Sequence, residues 1–249
     1  MLLAALSLLA TGCGGSSAPG PPVGAPVLPD LVPAPPRNLQ TKVVNGRWHV
    51  GFSTIVVNVG EGDFLVRGRR NGDGWQVEQG IPYSVSGVEM VPVDAPLEWG
   101  GDGHDHWHIQ RVASVELVPL DDEERPVADG ESRVDSKIGF CFYDHTHELG
   151  RGPVERVYVA RGCGREAWDV IGMGLSSGWN DTYRSVLPGQ NIDVTGLPDG
   201  MYRLWTRVDE KRWFREQTRD NNATWIDFEL FTKDEQRFAL AVAHGPQPA

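Results

Sequence analysis

Read for the alternation of apolar and polar side chains, the chain from Lys42 onward is a succession of short β-type runs. Phe52–Val59 and Asp63–Arg67 are β-branched and aromatic, and Gly60-Glu61-Gly62 between them predicts a hairpin. Comparable runs recur at Gly74–Val77, Val88–Val93, His106–Val118, Lys137–Tyr143, Arg156–Val159, Asn191–Val194, Met201–Val208 and Thr224–Phe231. Leu197-Pro198-Asp199-Gly200 carries Pro and Gly where a tight turn needs them. No window of about twelve residues holds a 3.6-residue period between its Pro and Gly breaks, so no amphipathic helix is expected. The predicted fold is all-β, a single β-sandwich domain with long loops and no internal repeat.

The pattern changes at the N-terminus. Residues 2–11 form an apolar run too short to span a bilayer, which takes about 20 residues, and read as the apolar core of a secretory signal. Ala10-Thr11-Gly12-Cys13 places small residues before a cysteine, as in the bacterial lipobox, where Cys13 would be acylated and become the mature N-terminus. The alternative is a signal cleaved elsewhere, with Cys13 discarded. Residues 14–36 hold eight of the 18 prolines and a single charge, the composition of an extended, semi-rigid tether. The expected organisation is a lipoprotein signal peptide at 1–12, a tether at 13–27, a folded domain at 28–240 and a tail at 241–249. Such a protein would be exported and held at the bacterial cell envelope through its lipid anchor only.

Composition narrows the partners. The 249 residues include 23 Lys plus Arg against 34 Asp plus Glu, a net charge of -11, and all but one of these charges lie after position 36. No basic cluster of the kind phosphate binding requires is present, so nucleic acid is excluded, and the field favours cations such as amines and metal ions. Nine tryptophans and a 40% apolar fraction argue for a packed core. Three cysteines are too few for a disulfide-built scaffold; with Cys13 assigned to the anchor, Cys141 and Cys163 are left to form one bridge in an exported protein.

The strongest chemical signal is Asp102-Gly103-His104-Asp105-His106-Trp107-His108. Histidines two apart face one side of a strand, with neighbours about 6 to 7 Å apart, so His104, His106 and His108 can meet one ion. An all-imidazole site suits Cu(II) or Zn(II), and copper binds such ligands more tightly. His145 and His147 form a second pair that reads as exposed loop histidines, or as a further ion site or proton shuttle.

These residues, with two further segments, resemble the lysyl oxidase family. The family's copper motif is likewise His-x-His-x-His, although Gly101 stands where animal members have a further histidine. Asp135-Ser136-Lys137-Ile138-Gly139-Phe140-Cys141-Phe142-Tyr143-Asp144 is similar to the stretch in which the cofactor lysine precedes Phe-Cys and an acidic residue. Gly174-Leu175-Ser176-Ser177-Gly178 and Asp181-Thr182-Tyr183 match the segment carrying the cofactor tyrosine. The resemblance runs from about Leu28 to Phe231. It implies a lysine tyrosylquinone built from Lys137 and Tyr183 in the presence of copper and dioxygen. It also implies oxidative deamination of primary amines to aldehydes, with release of ammonia and hydrogen peroxide. Asp144 and Asp181, each close in sequence to a cofactor residue, are the candidates for the general base.

The resemblance extends to calcium. Animal members hold a calcium ion between a Pro-Asp-Leu near the domain start and a late Glu-x-Asp-x-x-Asn-Asn. Pro29-Asp30-Leu31 and Glu216-Gln217-Thr218-Arg219-Asp220-Asn221-Asn222 are similar, with Thr218 in place of one carboxylate. Asp30, Leu31, Glu216, Asn221 and Asn222 are therefore the implied Ca(II) ligands, oxygen types that suit a hard cation; the plain alternative is a turn rich in Asp and Asn. Two other functions fit the histidines alone: a non-catalytic, extracytoplasmic copper-binding lipoprotein, and a zinc hydrolase with water in the fourth position.

Overall fold

The computed structural model describes residues 20–100, 105–127 and 132–249, with residues 135–137 described by their backbone only. It is an all-β structure in three antiparallel sheets. Among the described residues the only helical element is a short 3-10 turn at Ala160–Cys163.

The first sheet has the order β1 (Leu31–Val44), β2 (Arg47–Asn58), β11 (Trp179–Tyr183), β9 (Thr146–His147), with β12 (Asn191–Asp193) also paired to β2. In the second, β10 (Val170–Leu175), β3 (Phe64–Asn71), β4 (Gly74–Pro82) and β5 (Val88–Val93) follow one another. The third runs β15 (Gln236–His244), β14 (Ala223–Lys233), β13 (Gly200–Val208), β7 (Trp107–Pro119), β6 (Leu97–Trp99), and β8 (Arg133–Phe140) also pairs with β7. One apolar core joins all three sheets. Phe64 of the second meets Phe142 and Phe214 edge-to-face at 4.9 and 4.8 Å, while Val115 and Leu204 of the third and Phe52 and Val56 of the first belong to the same buried cluster.

Strand β13 shows why these residues form strands. Tyr202, Leu204, Thr206 and Val208 point inward and are buried, while Arg203, Trp205 and Arg207 alternate outward. On the outer face the Arg203 guanidinium donates to both Asp227 oxygens at 2.7 and 2.8 Å and lies 4.0 Å from the Trp225 ring centroid. A bidentate pair on an aromatic face holds β13 and β14 in register.

Two segments depart from the expected pattern. Gly60-Glu61-Gly62 is no hairpin, since β2 and β3 lie in different sheets and the segment crosses between them. Its glycines serve close approach: a Cβ on Gly62 would sit 2.0 Å from the Val27 carbonyl oxygen, and one on Gly60 would sit 2.4 Å from the Asp30 nitrogen. Arg156–Val159 forms no strand, because the backbone N–H groups of Val157 and Tyr158 donate to the Asp144 carboxylate instead of to a neighbouring strand.

A second crossover lies against the first. Gly174-Leu175-Ser176-Ser177-Gly178 carries the chain from β10 in the second sheet to β11 in the first. Asn58, fully buried, stitches the two: its amide group donates to the Gly62 and Leu175 carbonyls at 2.8 and 2.9 Å and accepts from the Asp30 and Gly60 amides at 3.0 and 3.1 Å. Ser177 adds a hydroxyl bond to the Gly60 carbonyl, and Gly178 donates to the Asn58 carbonyl. Gly178 has φ +81°, and a Cβ there would lie 2.1 Å from the Arg151 carbonyl oxygen. The glycine- and serine-rich motif that precedes Tyr183 is thus a sheet-to-sheet crossing with no room for larger residues.

Candidate functional site

The entry to β7 carries two of the histidines, His106 just before the strand and His108 within it. His106 and His108 sit two residues apart with ring centroids 4.5 Å apart, so both imidazoles lie on one side, as period-2 geometry requires. Trp107 points the other way, against Trp75 and Trp99. His108 is buried, and its ring lies 6.0 Å from that of Tyr183. His104 lies outside the described residues. Among those described, no three His, Cys, Asp or Glu side chains converge on one point.

Tyr183 ends β11 and is itself buried. Its hydroxyl accepts a hydrogen bond from the Cys141 backbone N–H at 2.9 Å, and its ring packs 4.4 Å from that of Phe140. Burial pushes the phenol well above its ordinary value, and the neighbouring Asp181 adds to the effect; the Cys141 N–H opposes both. Lys137 lies in β8, the strand that ends at Phe140 and pairs with β7. Its side chain lies outside the described part. The three sequence motifs thus meet at the junction of β7, β8 and β11.

Cys141 and Cys163 form a disulfide with Cα atoms 5.7 Å apart. The bridge fixes the same residue whose N–H holds the Tyr183 hydroxyl. By closing a loop across a separation of 22 residues it contributes about 3 kcal/mol in the chain-entropy account.

The two acidic candidates have different surroundings. Asp144 is fully buried and saturated: Oδ1 accepts from the Ser176 N–H at 2.8 Å, and Oδ2 accepts from the Val157 N–H, the Tyr158 N–H and the Ser176 hydroxyl at 2.8, 3.1 and 2.8 Å. It closes the 145–159 loop onto the crossover. The Asp144→Asn variant presents an amide to donors that need an acceptor, so it should lose about 2 kcal/mol of stability. Urea denaturation measures this, and hydrogen exchange should show the Val157 and Tyr158 amides opening first.

Asp181 is equally buried, yet neither carboxyl oxygen has a hydrogen-bond partner among the described residues. Burial raises its pKa well above the usual carboxylate range. The nearby Asp144 adds to this, and the backbone N–H groups of Thr182 and Tyr143 oppose it without meeting hydrogen-bond geometry. Asp181 alternates with Tyr183 along β11, so the two share a face. Tyr143, half-buried, has its phenol raised by burial and then by Asp181. Sequence reasoning passed over Tyr143 although it lies within the motif around Lys137; its only signal was a polar aromatic next to Asp144. His147 stacks on Trp179 with ring centroids 5.0 Å apart and donates from Nε2 to the Arg151 carbonyl at 2.8 Å, which ties it into the loop.

The implied calcium ligands are brought together across the whole length of the domain. The Leu31 N–H donates to Glu216 Oε2 at 2.7 Å, the Asn221 amide to Asp30 Oδ2 at 3.0 Å, and the Asn222 amide to Glu216 Oε1 at 3.0 Å. Three buried oxygens in this group, Asp30 Oδ1, Asn221 Oδ1 and Asn222 Oδ1, have no hydrogen-bond partner among the described residues. Burial raises Asp30 and raises Glu216 to about 7, with Asp209 adding to the latter. Orphaned acceptors beside two buried carboxyls are a donor set that fits a hard cation.

The family model for lysyl oxidase matches residues 83–238, more than half of the chain. No curated protein matches it.

Proposed function

The chain belongs to the lysyl oxidase family, and on that premise we propose that it is a copper-dependent amine oxidase. Its reaction would convert primary amines to aldehydes with release of ammonia and hydrogen peroxide. The observation that carries this reading is the meeting of His108 with Tyr183, from motifs far apart in sequence, at 6.0 Å between ring centroids.

His104, His106 and His108 would hold copper, and Lys137 and Tyr183 would supply the quinone; when present, these groups provide redox chemistry with dioxygen and an electrophilic carbonyl for the amine. The protein's own side chains do the rest. Phe140 and the Cys141 N–H orient the Tyr183 ring and oxygen, and the burial of His108, Phe140 and Tyr183 excludes water. Asp144 has its acceptor sites filled by backbone and hydroxyl donors, so the proton-accepting role falls to Asp181 Oδ. Burial raises the Asp181 carboxyl above its usual range, which makes its ionised form a stronger base, and that form grows as pH rises. The cation between Asp30 and Asn222 would be calcium with a structural role, pinning β1 to the 216–222 loop.

We also propose that the enzyme works outside the cytoplasm, carried by lipidated Cys13, which lies outside the described residues. Replacing Cys13 by Ala should release the protein from the membrane fraction; unchanged fractionation rules the anchor out. For the activity itself, the copper-loaded protein exposed to air should gain visible quinone absorbance and a Lys137–Tyr183 crosslink in its peptide map. It should then release peroxide with at least one of a panel of lysine peptides, polyamines and aliphatic amines. Tight copper binding with no crosslink would leave a copper-binding lipoprotein, and metal-dependent hydrolysis with zinc a hydrolase.

A further inference from the structure

The face of β7 opposite the histidines borders a cleft of about 780 Å³ at the junction of the second and third sheets, within the roughly 300 to 1,000 Å³ of ligand-binding pockets. Its walls come from β4, β5 and β6 and the Asp94-Ala95-Pro96 link between the last two. Three tryptophans pack edge to face along it, Trp75 on Trp107 at 4.7 Å and Trp99 on Trp107 at 5.5 Å. The Arg70 guanidinium already lies 4.7 Å from the Trp75 ring centroid and 5.5 Å from that of Trp107, so these rings accept a guanidinium. Arg70 is itself neutralised by Asp169 at 3.4 Å. Trp99, half-buried, carries no such cation among the described residues. Of the other lining residues Asp73, Asp94 and Glu98 are exposed, and no ion pair reaches them among the described residues.

We propose that this cleft is a binding site for a basic polypeptide segment, seated with one cationic side chain over Trp99 and others against Asp73, Asp94 and Glu98. Charge complementarity selects the occupant. The lining offers three exposed carboxylates and one arginine that is already paired, so a cation is favoured over a neutral or anionic ligand. The acids are distributed over three separate stretches of chain, the β3–β4 turn, the β5–β6 link and β6, which suits several charges on one extended chain better than a single small amine. The site stands on the cleft alone and does not depend on the oxidase reading.

The test uses the full chain and a capped peptide of alternating Arg and Gly. Arginine is no primary amine, so binding is read without turnover, by calorimetry and by quenching of tryptophan fluorescence. The expected result is saturable binding that weakens at least tenfold in the Asp94→Asn/Glu98→Gln double variant and in Trp99→Ala, and that weakens with added salt. The control pair Asp234→Asn/Glu235→Gln, at the turn joining β14 to β15 on the opposite edge of the sheet, should bind as the parent does. Absence of binding, equal binding by the double variant, or equal binding of the same peptide with Glu in place of Arg overturns the proposal. So does quenching by a neutral oligosaccharide with none by the peptide. Thermal melts matching the parent show that the variants are folded.

Discussion

Replacing Tyr183 by Phe is expected to abolish amine-dependent peroxide release, by at least roughly a thousandfold, or about 4 kcal/mol of barrier, while leaving copper bound. The substitution removes one atom at the junction of all three motifs. The histidines are expected to stay, since His108 lies within β7 and His106 directly precedes it, so the strand's backbone sets where both begin. The Phe140 contact also stays, because it involves the ring. Lost are the oxygen from which a quinone would be made and the acceptor for the Cys141 N–H. Leaving that buried donor unpaired costs about 1 to 3 kcal/mol, so a modest fall in Tm should accompany the loss of activity. Copper stoichiometry by elemental analysis, peroxide release and a thermal melt on the same sample separate the effects. A variant that still turns over would sink the proposed cofactor; one that loses copper would place Tyr183 in the metal's ligand set.

The second large effect concerns the Asp30 and Glu216 cluster. Burial lifts Glu216 in the folded protein to about 7, above the ordinary carboxyl range. A folded pKa above the unfolded one means that the native state binds the proton more tightly. The contribution to stability is therefore fully present at low pH and is lost as pH climbs from about 4.5 through 7. At about 1.4 kcal/mol per unit, the calcium-free protein should lose roughly 3 kcal/mol from this group between pH 4.5 and 8. Asp30, raised by burial too, acts in the same direction. Calcium neutralises the charges that make the loss, so the difference between calcium and chelator should widen as pH rises. The Glu216→Gln variant isolates the group from every other titration: its amide accepts only one of the Leu31 and Asn222 donors, a cost that does not change with pH, so in chelator its stability by urea denaturation should vary less between pH 4.5 and 8 than the parent's, and it should respond less to calcium. If parent and variant lose stability equally over that range, or if calcium leaves the parent unchanged at pH 8, the cation site is refuted.

Much of the fold was legible where side chains alternate for packing alone. Val88–Val93 is a strand residue for residue, and β13 follows its alternation closely. Strand β1 was hidden by Pro33, Pro35 and Pro36, whose missing N–H groups argue against a central strand; as an edge strand beside β2 it tolerates them. Strand β11 was hidden for a different reason. In Trp179-Asn180-Asp181-Thr182-Tyr183 the carboxyl of Asp181 and the amide of Asn180 are buried, which inverts the usual pattern. The site was legible at the level of residue types: the His-x-His spacing predicted the shared face of His106 and His108, and the cysteine count predicted the Cys141–Cys163 bridge. Spacing carried no information on the contrast between Asp144 and Asp181, because it depends on which backbone N–H groups a carboxylate captures.

The paired crossovers stitched by Asn58 have a consequence for when the chemistry can begin. Tyr183 reaches His108 only after β11 has joined β2 in the first sheet and β7 has joined β13 in the third, pairings that span most of the domain. Such non-local topologies fold on the millisecond to second scale, far more slowly than local turns. A chain that is still folding therefore has its phenol and its imidazoles apart. On the proposed reading, self-oxidation of Tyr183 would thereby be confined to molecules whose sheets are complete, a built-in order of events in which assembly precedes chemistry.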